Sequence, residues 1–257
     1  VTDLADDAAL AADVVREAGL LAQELREAGL RVHTKTNVSD VVTAADHAAE
    51  RLVLDHLATW RPDDGVLGEE GAERPSASGR TWVIDPVDGT YNFVHGFGWW
   101  CSAIALVVDG DPVLGAVYHP HDDVLYVGGP DLPTTRNGEP VGPLADVELA
   151  LACATTYLHP PFFDGEVGEA FARAVGGAAT LRMLGSASLD LAAVAQGQVG
   201  VFVQHSVAPW DWYPSSALVR GAGGTARRIT AAGVEWSVAG APTAVAEVCA
   251  ALTEVRA

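Results

Sequence analysis

The 257-residue chain lacks any apolar run near the ~20 residues a membrane-spanning helix needs, so a membrane partner is not expected. Basic residues are scarce: 15 Lys and Arg stand against 34 Asp and Glu, a net charge of −19. That excess repels phosphate backbones, which sets nucleic acid aside as a partner. Cysteine is also sparse. Cys101, Cys153 and Cys249 are odd in number and lack metal-type spacing, which predicts free or buried thiols in a reducing compartment. The N-terminal VTDLADD has no basic stretch leading into an apolar one, so no secretory leader is expected and the predicted setting is cytoplasmic. Internal repeats and low-complexity linkers are missing too. With 49% apolar residues, the chain has ample material for a folded core.

Periodicity supplies the outline. Leu4, Ala8, Ala11, Val15, Ala18, Ala22 and Leu25 recur at three- and four-residue steps, predicting a helix over 4–28 with Gly29 as its stop. A second helix is expected from Thr43, as a capping residue, to Trp60. Strands are expected at Thr81–Ile84, Ser102–Val108, Val113–Tyr118 and Val124–Val127, forming an antiparallel sheet. Beyond the Gly- and Pro-interrupted stretch 136–145, strands are predicted at Leu149–Ala154, Thr180–Met183 and Val199–Val203. Helices are predicted at Glu166–Val175, Ser188–Gln196, from Asp211 and at Thr243–Val255. Such alternation favours an α/β half. The division is therefore 1–143, an N-terminal α+β half, and 144–257, a C-terminal α/β half, packed as one body.

Three acidic segments carry chemistry. In Trp82-Val83-Ile84-Asp85-Pro86-Val87-Asp88-Gly89-Thr90, a short apolar strand delivers two carboxylates three residues apart into a turn or opening helix. Their oxygens can converge on a hard cation, and the Gly89 and Thr90 amides suit a phosphate oxygen. An Asp-rich surface turn with a side-chain cap would read the same way. Gly68-Glu69-Glu70-Gly71 follows the apolar pair Val66-Leu67, and Pro209-Trp210-Asp211-Trp212 sets one Asp at a helix start between aromatics. Taken singly, these are a solvated loop and an N-cap.

Together they resemble the inositol monophosphatase family, within the magnesium-dependent, lithium-sensitive phosphatases. The resemblance runs through KTNVSDVVTAAD (35–46), GEE (68–70), WVIDPVDGTYNF (82–93), GAVYHP (115–120), LGSASLDLAAVAQG (184–197) and PWDWYPSSALVRGAGG (209–224). It implies a layered α/β/α/β/α sandwich, commonly dimeric, that hydrolyses a phosphate monoester with a metal-activated water. Implied ligands for two to three Mg²⁺ ions, with Mn²⁺ a possible substitute, are Glu69, Asp85, the Val87 carbonyl, Asp88 and Asp211. Thr90 paired with Asp46, together with Glu69, would orient or deprotonate the water, and Gly89 and Thr90 would bind phosphate. Gly185, Ser186, Ala187, Gln204 and Asp211 would face the alcohol. Lys35 and Glu70 are further candidates.

Family members acting on inositol usually carry Glu where this chain has Gln204. The expected substrate is a small polyol or sugar phosphate, with inositol 1-phosphate leading. Fructose 1,6-bisphosphate and histidinol phosphate come next, and a catalytically idle binding or assembly protein is the alternative of another class. A cluster of carboxylates repels a phosphate monoester unaided, so metal dependence follows from the charges.

Overall fold

A computed structural model describes residues 3–29, 32–34 and 41–254. In chain order the elements are α1 (Leu4–Glu27), β1 (Val32–Thr34), β2 (Val41–Thr43), α2 (Ala44–Trp60), β3 (Gly65–Gly68), β4 (Glu73–Arg74), β5 (Arg80–Asp88) and α3 (Thr90–Val94). Next come β6 (Cys101–Val108), β7 (Asp111–His119), β8 (Val124–Gly129), β9 (Leu132–Arg136) and β10 (Glu139–Pro140). The chain continues with β11 (Cys153–Thr156), α4 (Gly165–Gly176), β12 (Thr180–Arg182), α5 (Ala187–Ala195), β13 (Val201–His205) and α6 (Pro209–Gly221). It ends with β14 (Thr225–Ala231), β15 (Val234–Gly240) and α7 (Pro242–Thr253).

The first large sheet runs β10-β9-β8-β7-β6-β5-β3-β4 and the second β12-β11-β13-β15-β14, while β1 and β2 form a small antiparallel pair. Side-chain alternation decides what lies between them. On β5, Trp82 and Ile84 point to one face, where Ala11, Val14, Val15 and Ala18 of α1 and Val53 and Leu57 of α2 cover them. Val83 points to the other face, toward Trp210 and Tyr213 of α6. There Cys101, Ala103 and Val117 of the first sheet share a core with Leu189 and Leu191 of α5, Trp212 of α6, and Phe202 and Ala239 of the second sheet. Ala170 and Ala174 of α4 and Val245 and Val248 of α7 close the outer face of that second sheet. The order is helices, sheet, helices, sheet, helices: the expected five-layer sandwich.

Several expectations shift in detail. The first sheet is antiparallel except between β3 and β5, which run parallel. The strand expected at Leu149–Ala154 opens as a 3₁₀ turn over Leu149–Leu151, with pairing only from Cys153. The second helix starts at Ala44, because Thr43 is the last residue of β2. The final helix ends at Thr253, and Val255 lies outside the described residues. The hairpin β14–β15 had no counterpart in the sequence reading.

Far from the acidic end of β5, one ion-pair network ties three elements together. Asp7 of α1, fully buried, accepts from Arg80 Nη1 at 2.8 Å, Arg80 Nη2 at 2.9 Å and Arg61 Nε at 2.7 Å. Arg80 also meets Asp64, which accepts from the Trp82 indole at 2.9 Å. Removing one partner of a buried pair strands the other charges. Asp7→Ala should therefore lower unfolding free energy in urea by about 3–5 kcal/mol. A loss too small to measure would show that the network contributes nothing.

Candidate active site

Strand β5 delivers the first two carboxylates. Asp85 has the parity of Val83, so its side chain enters the layer that holds α6. Pro86 brings no backbone N–H to the ladder, and pairing with β6 shifts register between Asp85 and Asp88. Both residues thus lie in a bulged strand and not in the expected turn. The Val87 amide donates to Asp85 Oδ1 at 3.1 Å, and the Ser102 hydroxyl donates to the Pro86 carbonyl at 2.5 Å. Gly89 follows with φ +89°, a left-handed conformation that a side chain resists, and is the N-cap residue of α3. A Cβ there would also press on the Trp99 and Gly185 carbonyls, at 3.0 and 3.1 Å.

The third carboxylate comes from α6. Ala208 caps α6, and Asp211 in its first turn accepts from the Ala208 backbone N–H, half of a capping box. One oxygen from each of Asp85, Asp88 and Asp211 lies within 4.8 Å of the others. Glu69, directly after β3, lines the same cavity and adds its charge to the repulsion on Asp85. Asp88 is tied to α5: its Oδ2 accepts from the Ser186 hydroxyl at 2.8 Å and the Ser188 amide at 2.5 Å. Ser186 also caps that helix by accepting from the Leu189 amide, so its capping and site positions coexist.

Burial and mutual repulsion act on the cluster together. Burial, then the charges of Glu69, Asp88 and Asp211, push Asp85 well above the usual carboxylate range. Burial and then Asp88 push Asp211 up to about 7. Asp88 is raised by burial, against which the serine donors pull it down. Such a donor set binds either protons or a cation, and three acceptor-only carboxylates suit a hard divalent ion.

The remaining candidates fall around this centre. Thr90 Oγ1 donates to the Val87 carbonyl at 2.9 Å and approaches fully buried Asp46 at 3.4 Å. Gly89, Thr90, Gly185, Ser186, Ala187, Gln204 and Asp211 line one cavity of about 220 Å³ together with Glu69 and Asp88. Glu70 is not among its lining residues, and its carboxylate lies 4.0 Å from His47. Lys35 lies outside the described residues.

Asn92, Asp190 and Glu50 went unnoticed as site candidates. Asn92 donates to the Trp99 carbonyl at 2.8 Å and the Leu184 carbonyl at 2.7 Å, clamping the segment before α5 to α3. Asp190, in the cavity wall, accepts from the Trp99 indole at 2.9 Å and Thr155 at 2.5 Å, and burial raises it to about 7. A lone Asp in the apolar run Leu189–Ala195 was its sequence signal. Glu50, one turn beyond Asp46, is a buried acid raised chiefly by burial. His159 lines the cavity beside Tyr157, in the loop after β11.

A five-layer sandwich with acids converging beside a polar cavity defines the class: a layered α/β protein with a carboxylate cluster of the kind that can hold a hard cation. The sequence model of the inositol monophosphatase family matches residues 3–254, and the chain belongs to that family. It is a phosphoric monoester hydrolase of the inositol monophosphatase type. The fructose-1,6-bisphosphatase/inositol-1-monophosphatase of Thermotoga maritima is 32% identical over 193 residues, 75% of this chain and 73% of that one. Among solved structures, the extragenic suppressor protein suhB from Bartonella henselae superposes with a TM-score of 0.83 at 27% identity, covering 95% of this chain and 98% of that one. SaIMPase-II with inositol monophosphate bound superposes at 0.78 with 28% identity, covering 93% and 91%.

The raised carboxylates set a pH dependence. In the unfolded chain Asp titrates near 3.9, whereas Asp211 titrates at about 7 in the fold. Between these values the folded state holds more protons, so metal-free stability falls as pH rises. A divalent cation offsets that loss. The melting temperature should therefore rise more on adding Mg²⁺ at pH 8 than at pH 5 in a fluorimetric melt. An equal or larger rise at pH 5 would contradict the assignment of the cluster.

Proposed function

We propose that the chain is a magnesium-dependent phosphomonoesterase acting on a small polyol or sugar phosphate, with inositol 1-phosphate the leading substrate. The observation that carries this reading is the convergence of Asp85, Asp88 and Asp211 beside the Gly89–Thr90 turn. Glu69, Asp85, the Val87 carbonyl, Asp88 and Asp211 would hold two to three Mg²⁺ ions, with Mn²⁺ able to substitute. Bound there, the cations would offset the anionic charge of the site and substrate and lower the pKa of water. The Gly89 and Thr90 amides would hold phosphate oxygens. Thr90, with Asp46 behind its hydroxyl, and Glu69 would orient the attacking water and take its proton. On this reading residues 1–143 carry most ligands and 144–257 contribute Asp211 and the alcohol side, in a cytoplasmic homodimer.

The cavity lining also bears on the substrate. Among the described residues that line it there is no Lys or Arg to meet the second phosphate of fructose 1,6-bisphosphate. A monoester of a neutral alcohol fits better. Gln204 offers that alcohol an amide that both donates and accepts.

Phosphate release from a panel of monoesters tests the reading. Inositol 1-phosphate should be hydrolysed faster than fructose 1,6-bisphosphate or histidinol phosphate, chelator should silence the activity, Mg²⁺ should restore it, and lithium should inhibit. Asp85→Asn should fold and lose more than the roughly 100-fold that losing an outer partner of a metal ligand costs. Full turnover in excess chelator would refute the reading, and no turnover on any monoester would favour an idle family member. Gln204→Glu should raise the preference for inositol 1-phosphate over other sugar phosphates, and an unchanged ratio would remove Gln204 from substrate recognition.

A further inference from the structure

Helix α2 carries two buried acids one turn apart, Asp46 and Glu50, on one face. Each reaches a different turn. Asp46 faces the Thr90 hydroxyl in the turn after β5, at 3.4 Å. Glu50 reaches the turn after β3: one oxygen accepts from the Glu70 amide at 3.0 Å and the other from the Ala72 amide at 3.2 Å. Because β3 and β5 are parallel neighbours, these turns leave the same end of the sheet side by side.

The turn is built around that carboxylate. Gly68 donates to the Ala72 carbonyl at 2.7 Å, closing a ring of five residues, and a Cβ on Gly68 would sit 2.2 Å from Glu50 Oε2. Glu69, inside this ring, is held from the sheet side by its amide on the Ile84 carbonyl at 3.1 Å. Glu50 holds the ring from the helix side. Burial and the neighbouring Glu70 charge raise the Glu50 carboxyl, while the Glu70 and Ala72 amides that it accepts from pull it down.

We propose that Glu50 is a positioning residue: by binding the Glu70 and Ala72 amides in the turn that carries Glu69, it fixes the Glu69 carboxylate against the Asp85–Asp88–Asp211 cluster and so sets cation affinity. The proposal rests on the reading of Glu69 as a cation ligand. Glutamine cannot replace Glu50, since its NH₂ group would confront one of the two amide donors. Gly68→Ala leaves the Glu50 charge in place but displaces its carboxylate, separating position from charge.

The test is calorimetric titration of the full chain with Mg²⁺ alone, for wild type, Glu50→Gln and Gly68→Ala, alongside thermal melts and kinetics at saturating Mg²⁺. Both variants should bind Mg²⁺ about 10–100-fold more weakly, the range for loss of an outer partner of a metal ligand. Their KM for substrate at saturating Mg²⁺ should match wild type, with turnover recovered by excess cation. Wild-type Mg²⁺ affinity in folded Glu50→Gln, even with a lowered melting temperature, makes Glu50 a staple of the turn only and overturns the proposal. Should Glu50→Gln fail to fold, Gly68→Ala decides by the same two outcomes. A wild-type chain that binds no Mg²⁺ overturns both this proposal and the reading of the site.

Discussion

Like charge held out of water is the constraint on which this molecule turns. Three carboxylate oxygens within 4.8 Å of one another repel by roughly 3–4 kcal/mol per ionised pair at an effective dielectric near 20. Two of the three residues are buried, and desolvation adds to the cost. Nothing in a core-building role requires such a cluster. The surroundings keep it together: the Ala208 amide behind Asp211, Ser186 and Ser188 on Asp88, and the Val87 amide on Asp85.

The cluster also joins the two parts of the chain. Asp85 and Asp88 come from the first sheet, whereas Asp211, Ser186 and Ser188 come from the helices between the sheets. The packing of α5 and α6 against β5, β6 and β7 thus buries the shared core and also brings the acids together. Strand parity settles which carboxylate faces the helices, and the bulge after Pro86 brings the next one to the same place. Gln204, in β13, and Asp190, within α5, line the same cavity as Asp88 and Asp211. The second half therefore shapes what the first half can receive.

Much of this was legible in the residues. Small apolar side chains at helical spacing outlined α1 to within one residue of its observed end, because a single face of that helix packs on the sheet. Asp85 and Asp88 stood out through an apolar strand and the adjoining Pro86 and Gly89, whereas Asp211 became a ligand candidate only through the family resemblance. The β14–β15 hairpin stayed hidden, since the half-exposed edge strand β14 carries Arg227 and Arg228 where an alternating pattern needs apolar residues. Residues that work through backbone contacts left little trace. Glu50 and Asn92 look like ordinary polar positions until the turns they hold fold against them. The bulge was misread as a turn because Asp-Pro and Asp-Gly pairs mark turns more often than strand ends.

The central claim is that these acids from separate halves form one cation site. Crystals of the chain grown with Mn²⁺ and measured at the manganese absorption edge test it most directly. The account predicts anomalous density bounded by the carboxylates of Asp85, Asp88 and Asp211. Occupied manganese elsewhere on the chain, with none between those three side chains, would contradict it.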